Sequence, residues 1–258
     1  MMKNIIFLLI SFTLLNANWQ DDISNFFTSS TNNKKEQKQD INLTDNEMQK
    51  ALKDALYQGV KYATTTLGKD GGYYNNPLVK IPIPKNMQSS AQIINKLGGQ
   101  KYIKEFELSM NKAAQKAAPK TVGIFFDAIK SMDIDDAKKI LLGDDESATT
   151  YFRDKTNTKL NNLIKPIIKE SMKQNNVYTY YKALNSYYKS NIDSITFGLG
   201  KYIPHDDEDL DSYITSKAVD GLMKMIAEEE KGIRNNPIMR KTTLLKKVFS
   251  IFQTKEER

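Results

Sequence analysis

Thr44-Asp45-Asn46-Glu47-Met48-Gln49-Lys50-Ala51-Leu52-Lys53-Asp54-Ala55-Leu56-Tyr57-Gln58-Gly59-Val60 opens the part of the chain whose pattern decides the fold. Thr44 with Glu47 three residues on is a capping box, in which the hydroxyl and the carboxylate each accept a backbone N–H left free at a helix start. Met48, Leu52, Leu56 (or Ala55), Val60, Ala63 and Leu67 then hold one apolar stripe at the helical period, and Gly68 stops it.

The same period recurs outward from this segment. Stripes run through Met87/Ala91/Ile94/Leu97, Ile103/Phe106/Met110/Ala113/Ala117, Val122/Phe125/Ile129/Met132 and Phe152/Leu160/Leu163/Ile167. Further stripes are Val177/Tyr181/Leu184/Tyr188, Ile214/Ala218/Leu222/Met225 and Leu244/Val248/Phe252. No alternation of period two competes, so the fold expected is an all-α bundle of about eight to nine helices. Asn75 to Pro84 carries three prolines in eight positions, which forbids a central strand and leaves an extended connector. Pro119 is expected to open a helix, and Pro166 to kink or split the long one at Lys165. Asp133, with Asp136 three residues on, reads as a helix N-cap.

Before Thr44 the chain has another character. Lys3 precedes an apolar run of 11 residues, Ile5 to Leu15, too short to cross about 30 Å of hydrocarbon, and Leu15-Asn16-Ala17 offers a small residue for cleavage. Residues 1–17 therefore read as a signal peptide cut after Ala17, with a periplasmic destination. Residues 18–43 read as a flexible polar linker led by a short aromatic segment, Trp19, Ile23, Phe26 and Phe27. Residues 44–252 form a single helical domain, and residues 253–258 a charged tail.

Composition narrows the chemistry. The 258 residues contain no cysteine and one histidine, His205, which excludes disulfides, thiolate metal sites and any site built on two imidazoles. The formal charge is +7, unevenly placed: residues 44–204 hold 24 basic and 16 acidic residues, whereas 205–230 hold 2 basic and 9 acidic. Basic charge on an exported chain points to anionic envelope components, and the aromatic-plus-basic signatures of nucleic-acid readers are missing, so no nucleic-acid partner is expected.

Several strings resemble a known family. Ala51 to Val60, Tyr74 to Pro84, Phe106 to Ala114, Tyr151-Phe152-Arg153 and, most specifically, Leu210 to Phe249 with its Met225-Ile226-Ala227-Glu228-Glu229-Glu230-Lys231-Gly232-Ile233-Arg234 are similar to the Domain of Unknown Function 4197 family. The resemblance implies an exported protein of a Gram-negative bacterium and implies no particular activity. Ser250 stands where many members close with Gly after Phe249.

Among polar residues Glu229 stands out. It lies four after Met225, three after Ile226 and four before Ile233, on the apolar stripe, so it is expected to be partly buried with Glu228 and Glu230 turned to solvent. Arg234 or Lys231 is its expected partner. The carboxylate reads either as a structural ion pair or as a proton-transfer acid, and Asn76 is a further polar candidate. Tyr181 and Tyr188, within the run Tyr178 to Tyr188, read as core packing or as a platform for a sugar or lipid tail. The acidic clusters at 133–136, 144–146 and 206–209 lack calcium-loop spacing, so no metal and no cofactor is expected. Gly198-Leu199-Gly200 reads as a turn. Asn42-Leu43-Thr44, with Asp40 two positions earlier, matches an extended bacterial glycosylation sequon. The C-terminal amphipathic helix either docks on the bundle or lies on an anionic membrane.

These features favour a non-enzymatic binding or scaffold protein for an unknown envelope protein or lipid, with the Met-rich helices as an adaptable groove. The alternative is a periplasmic hydrolase using Glu229.

Overall fold

The first helix begins where the capping box places it. In the computed structural model, which describes residues 43–188, 190 and 207–253, the Thr44 N–H donates to Glu47 Oε2 at 2.9 Å and the Glu47 N–H to Thr44 Oγ1 at 3.3 Å. Helix α1 then runs Asp45–Gly68, burying Ala51, Leu52, Ala55, Leu56, Gly59, Val60, Ala63 and Leu67. It stops against Pro119: a Cβ on Gly68 would come within 2.4 Å of that ring. The expected signal peptide, the segment from Trp19 to Asn42, His205, the turn expected at 198–200 and residues 254–258 lie outside the described residues.

The proline-rich connector is extended only in its second part, residues 80–84; its first part, expected extended as well, turns at 77–79, where the Val79 and Lys80 N–H groups donate to the Asn76 carbonyl at 3.2 and 2.8 Å. Buried Asn111 holds the extended part as a neighbouring strand would, accepting the Ile81 N–H at 2.9 Å and donating to the Ile81 carbonyl at 2.8 Å. Tyr73, fully buried, donates to the Ala218 carbonyl at 2.9 Å and pins the other end. Backbone groups that a strandless fold would leave unpaired are thereby satisfied.

The remaining helices are α2 (Lys85–Lys96), α3 (Gln100–Ala117), α4 (Val122–Ser131), α5 (Ile134–Leu142), α6 (Ser147–Gln174), α7 (Val177–Tyr188), α8 (Asp207–Asn235) and α9 (Thr243–Gln253). Pro119 sits in a 3-10 turn, Ala118–Thr121, between α3 and α4. Asp133 caps α5 as its spacing implies, accepting the Asp136 N–H at 2.7 Å. Pro166 does not split α6, which is continuous from Ser147 to Gln174. Ile164 and Ile168, both fully buried on either side of the exposed proline, keep the apolar face in register and offset the hydrogen bond it removes. No strand occurs among the described residues.

Helix α8 is central, packing along α6 and α1 and also meeting α3. Phe125 and Phe152 meet edge to face at 5.3 Å between α4 and α6, and Phe106 and Tyr181 at 5.8 Å between α3 and α7. The C-terminal helix α9 docks on α1, with Leu245, Val248 and Phe249 buried. No helix among the described residues is long and apolar enough to cross a membrane.

Candidate functional site

Helix α8 carries Leu222, Met223, Ile226 and Ile233 into the core, and Glu230 falls on the same face. The N-terminus of α6 meets it there. Glu146, the residue before α6, makes no side-chain cap, so the first N–H groups of the helix need an acceptor from elsewhere. Glu230 supplies it: the Ala148 N–H donates to Oε1 at 2.9 Å, and the Thr149 N–H and hydroxyl donate to Oε2 at 3.0 and 3.1 Å. One turn further along α8, Arg234 donates to Oε1 through Nη2 at 2.9 Å and Nε at 3.2 Å, and its Nη2 also reaches the Ile140 carbonyl of α5 at 2.7 Å. The two side chains are 10% and 5% exposed. Burial raises the Glu230 carboxyl, opposed by the Ala148 N–H and the Arg234 guanidinium. Every acceptor position on this carboxylate is engaged.

A second buried cation closes the end of α8. Arg240 donates from Nε to the Ile233 carbonyl at 2.9 Å and from Nη2 to the Arg234 carbonyl, satisfying C-terminal groups of the helix. Phe249 of α9 lies 5.9 Å from the Arg234 guanidinium carbon and 5.5 Å from that of Arg240, within cation–π range of both.

Between α1, α6, α8 and α9 lies a narrow, partly open crevice with an enclosed volume of about 20 Å³. Leu52, Ala55, Leu56 and Gly59 line it from α1, Ile226 and Ile233 from α8, and Phe249 from α9. Its charged lining residues are Glu230 and Arg234, already committed to each other and to α6.

The structure separates the residues that spacing had grouped. Glu228 is exposed and Glu229 half-buried, but Glu230, expected to face solvent, is buried, and it rather than Glu229 takes Arg234. The Glu229 Cβ packs 3.6 Å from where a Cβ on Gly59 would stand; burial raises its carboxyl and Lys241 pulls it back. Asn76 accepts the Leu78 N–H at 3.1 Å in a tight turn, and its amide reaches Met225 Sδ at 3.4 Å, one turn before Glu229. Tyr181 is buried against Phe106 on α3. The Tyr188 side chain and Asn42 lie outside the described residues. Asp144 accepts from the Glu146 N–H and the Ser147 hydroxyl, a turn-capping role.

Asp54 carried no sequence signal beyond its place beside a core stripe. It is 2% exposed, its Oδ1 has no hydrogen-bond partner among the described residues, and the Gln58 amide nitrogen one turn on is likewise buried and unpaired. Burial pushes its carboxyl up to about 6 against the pull of Lys50.

Comparison with known proteins places this architecture in one family: the family model described as Protein of unknown function (DUF4197) matches residues 42–250. Neither the curated proteins nor the solved structures contain a match.

Proposed function

The chain belongs to the DUF4197 family, and from that premise we propose that it is a non-enzymatic binding or scaffold protein of the periplasm, receiving an apolar group from an envelope partner or ligand in the α1–α8–α9 crevice. One observation carries this reading. The crevice is apolar apart from Glu230 and Arg234, and both are saturated, so neither is free for proton transfer and recognition falls to the aliphatic walls. The crevice as it stands admits only a methyl-sized group, so the occupant inserts the tip of an acyl chain or of an aliphatic side chain and widens the slot as it enters. The N-terminal apolar run supports export.

The hydrolase reading rests on Glu229, whose half-buried carboxyl is raised by burial.

Native mass spectrometry of protein recovered from its host by osmotic shock tests the proposal. A bound apolar molecule that is lost when Ala55→Leu narrows the crevice supports it. Ligand-free protein whose hydrolysis of envelope substrates disappears in Glu229→Gln refutes it in favour of the enzyme. An intact mass that retains residues 1–17 refutes the export.

A further inference from the structure

Helices α3 and α6 carry lysines at a spacing that their packing does not require. Lys112, Lys116 and Lys120 recur every four residues through the end of α3 and the turn after it, and Lys169 and Lys173 do so at the end of α6. All five are exposed. Four-residue spacing stacks like charges on one helix face, which is self-repulsive in an isolated helix.

The two ladders meet. Helices α3 and α6 pack against each other, and Lys116 Nζ donates to Gln174 Oε1 at 3.0 Å, one residue beyond Lys173. None of the five lysines forms an ion pair with a carboxylate among the described residues, whose ion pairs involve Lys80, Lys138, Arg153 and Arg234. The nearest acidic residue in sequence, Glu170, accepts from Gln174 Nε2 at 3.1 Å. The imbalance extends beyond the cluster: residues 100–121 hold five lysines against two glutamates, and residues 147–174 hold six basic residues against two acidic ones.

We propose that the surface formed by Lys112, Lys116, Lys120, Lys169 and Lys173 docks on an anionic phospholipid bilayer. The chemistry of the residues selects this occupant. All five are lysines, compact charges on long stems that track phosphates free to move laterally, whereas fixed phosphates are better matched by the planar fork of arginine. They stand on the exposed faces of two packed helices, open to a sheet of headgroups. Bases of single-stranded nucleic acid need stacking rings, and Tyr102, the exposed ring of α3, stands ten residues from Lys112, about 15 Å along the axis. This face is separate from the crevice, so its failure leaves the apolar-ligand reading standing.

Cosedimentation of the full chain with phosphatidylcholine vesicles, and with equimolar phosphatidylcholine–phosphatidylglycerol vesicles, tests the proposal. The triple variant Lys116→Gln/Lys169→Gln/Lys173→Gln is compared with Lys61→Gln/Lys96→Gln/Lys231→Gln, which removes the same charge from exposed positions on α1, α2 and α8. Salt-sensitive binding to the anionic vesicles, weakened roughly 100-fold in the first variant and several-fold or less in the second, is the expected result. Equal losses in both variants would overturn the proposal by reducing it to net charge. Indifference of the unaltered protein to phosphatidylglycerol would also overturn it. So would a first variant that keeps its vesicle binding but loses binding to single-stranded DNA, which would assign the face to a soluble polyanion. Both variants alter exposed side chains, and matching thermal melts verify that the fold is intact.

Discussion

Asp54 is a carboxylate the fold holds at a cost, and replacing it measures that cost. Its ordinary value of 3.8 is raised to about 6 by burial, a gap worth about 3 kcal/mol at about 1.4 kcal/mol per pH unit. The sign follows from proton binding. Below 3.8 both folded and unfolded chains carry the proton and the penalty vanishes; between 3.8 and about 6 the folded chain alone keeps it; above about 6 the folded chain bears the full cost of an ionised buried group. Asp54→Asn keeps the shape and removes the charge. It should therefore stabilise the protein by about 2 kcal/mol at pH 7.5, less than the full gap because the buried amide also goes unpaired. The gain should shrink as pH falls through 6 and be nearly gone by pH 4. Urea unfolding of both proteins at closely spaced pH values reads the difference directly, since titration of every other carboxylate is common to the two and cancels. A variant less stable at pH 7.5, or a difference that does not change with pH, would refute the argument that the burial of Asp54 outweighs the pull of Lys50.

Three other outcomes follow from the packing. Glu230→Ala strands the Arg234 charge and two α6 N–H groups and should cost about 4 kcal/mol in urea unfolding, against about 1 for half-buried Glu229→Ala and under about 0.5 for exposed Glu228→Ala; equal losses for Glu229 and Glu230 would contradict the assignment. Ending the chain after Lys241 removes buried Leu245, Val248 and Phe249 and should lower stability by about 4 kcal/mol or more, so an unchanged melting temperature would refute the docking of α9. Asn111→Leu orphans the Ile81 N–H and carbonyl and should cost about 3 kcal/mol, with hydrogen exchange at the Ile81 amide rising more than that of α8.

Local signals were legible wherever the partners of a group lie within a few residues of it. The Thr44–Glu47 box and the Asp133–Asp136 cap each join residues three apart, and the structure forms both. Docking of α9 was one of two readings of an amphipathic helix, settled by the presence of α1 beside it. Of the two outcomes expected at Pro166, the split does not occur, because the proline rule speaks of the backbone bond lost, while the buried Ile164 and Ile168 around it keep the helix continuous. Asn111 gave no signal, because the groups it bonds are the backbone N–H and carbonyl of Ile81, 30 residues away, which leave no mark in a side-chain pattern.

The Glu229–Glu230 distinction shows where such reasoning reaches its limit. Counted from Ile226 and Ile233, Glu229 lies three after and four before, while Glu230 lies four after and three before. With 3.6 residues per turn the two positions flank the centre of the apolar stripe almost symmetrically. Periodicity therefore cannot choose between them, and the choice passes to what stands opposite. On the Glu229 side is Gly59, which has no side chain to bond. On the Glu230 side are the unsatisfied N–H groups at the start of α6, a ready anion site that offsets the cost of burying a carboxylate. One signal did lie in the sequence: Arg234 is four residues after Glu230 but five after Glu229, and only the four-residue spacing brings two side chains together on a helix face. That spacing identifies the pair, and the arrival of α6 from 82 residues upstream makes it a buried one.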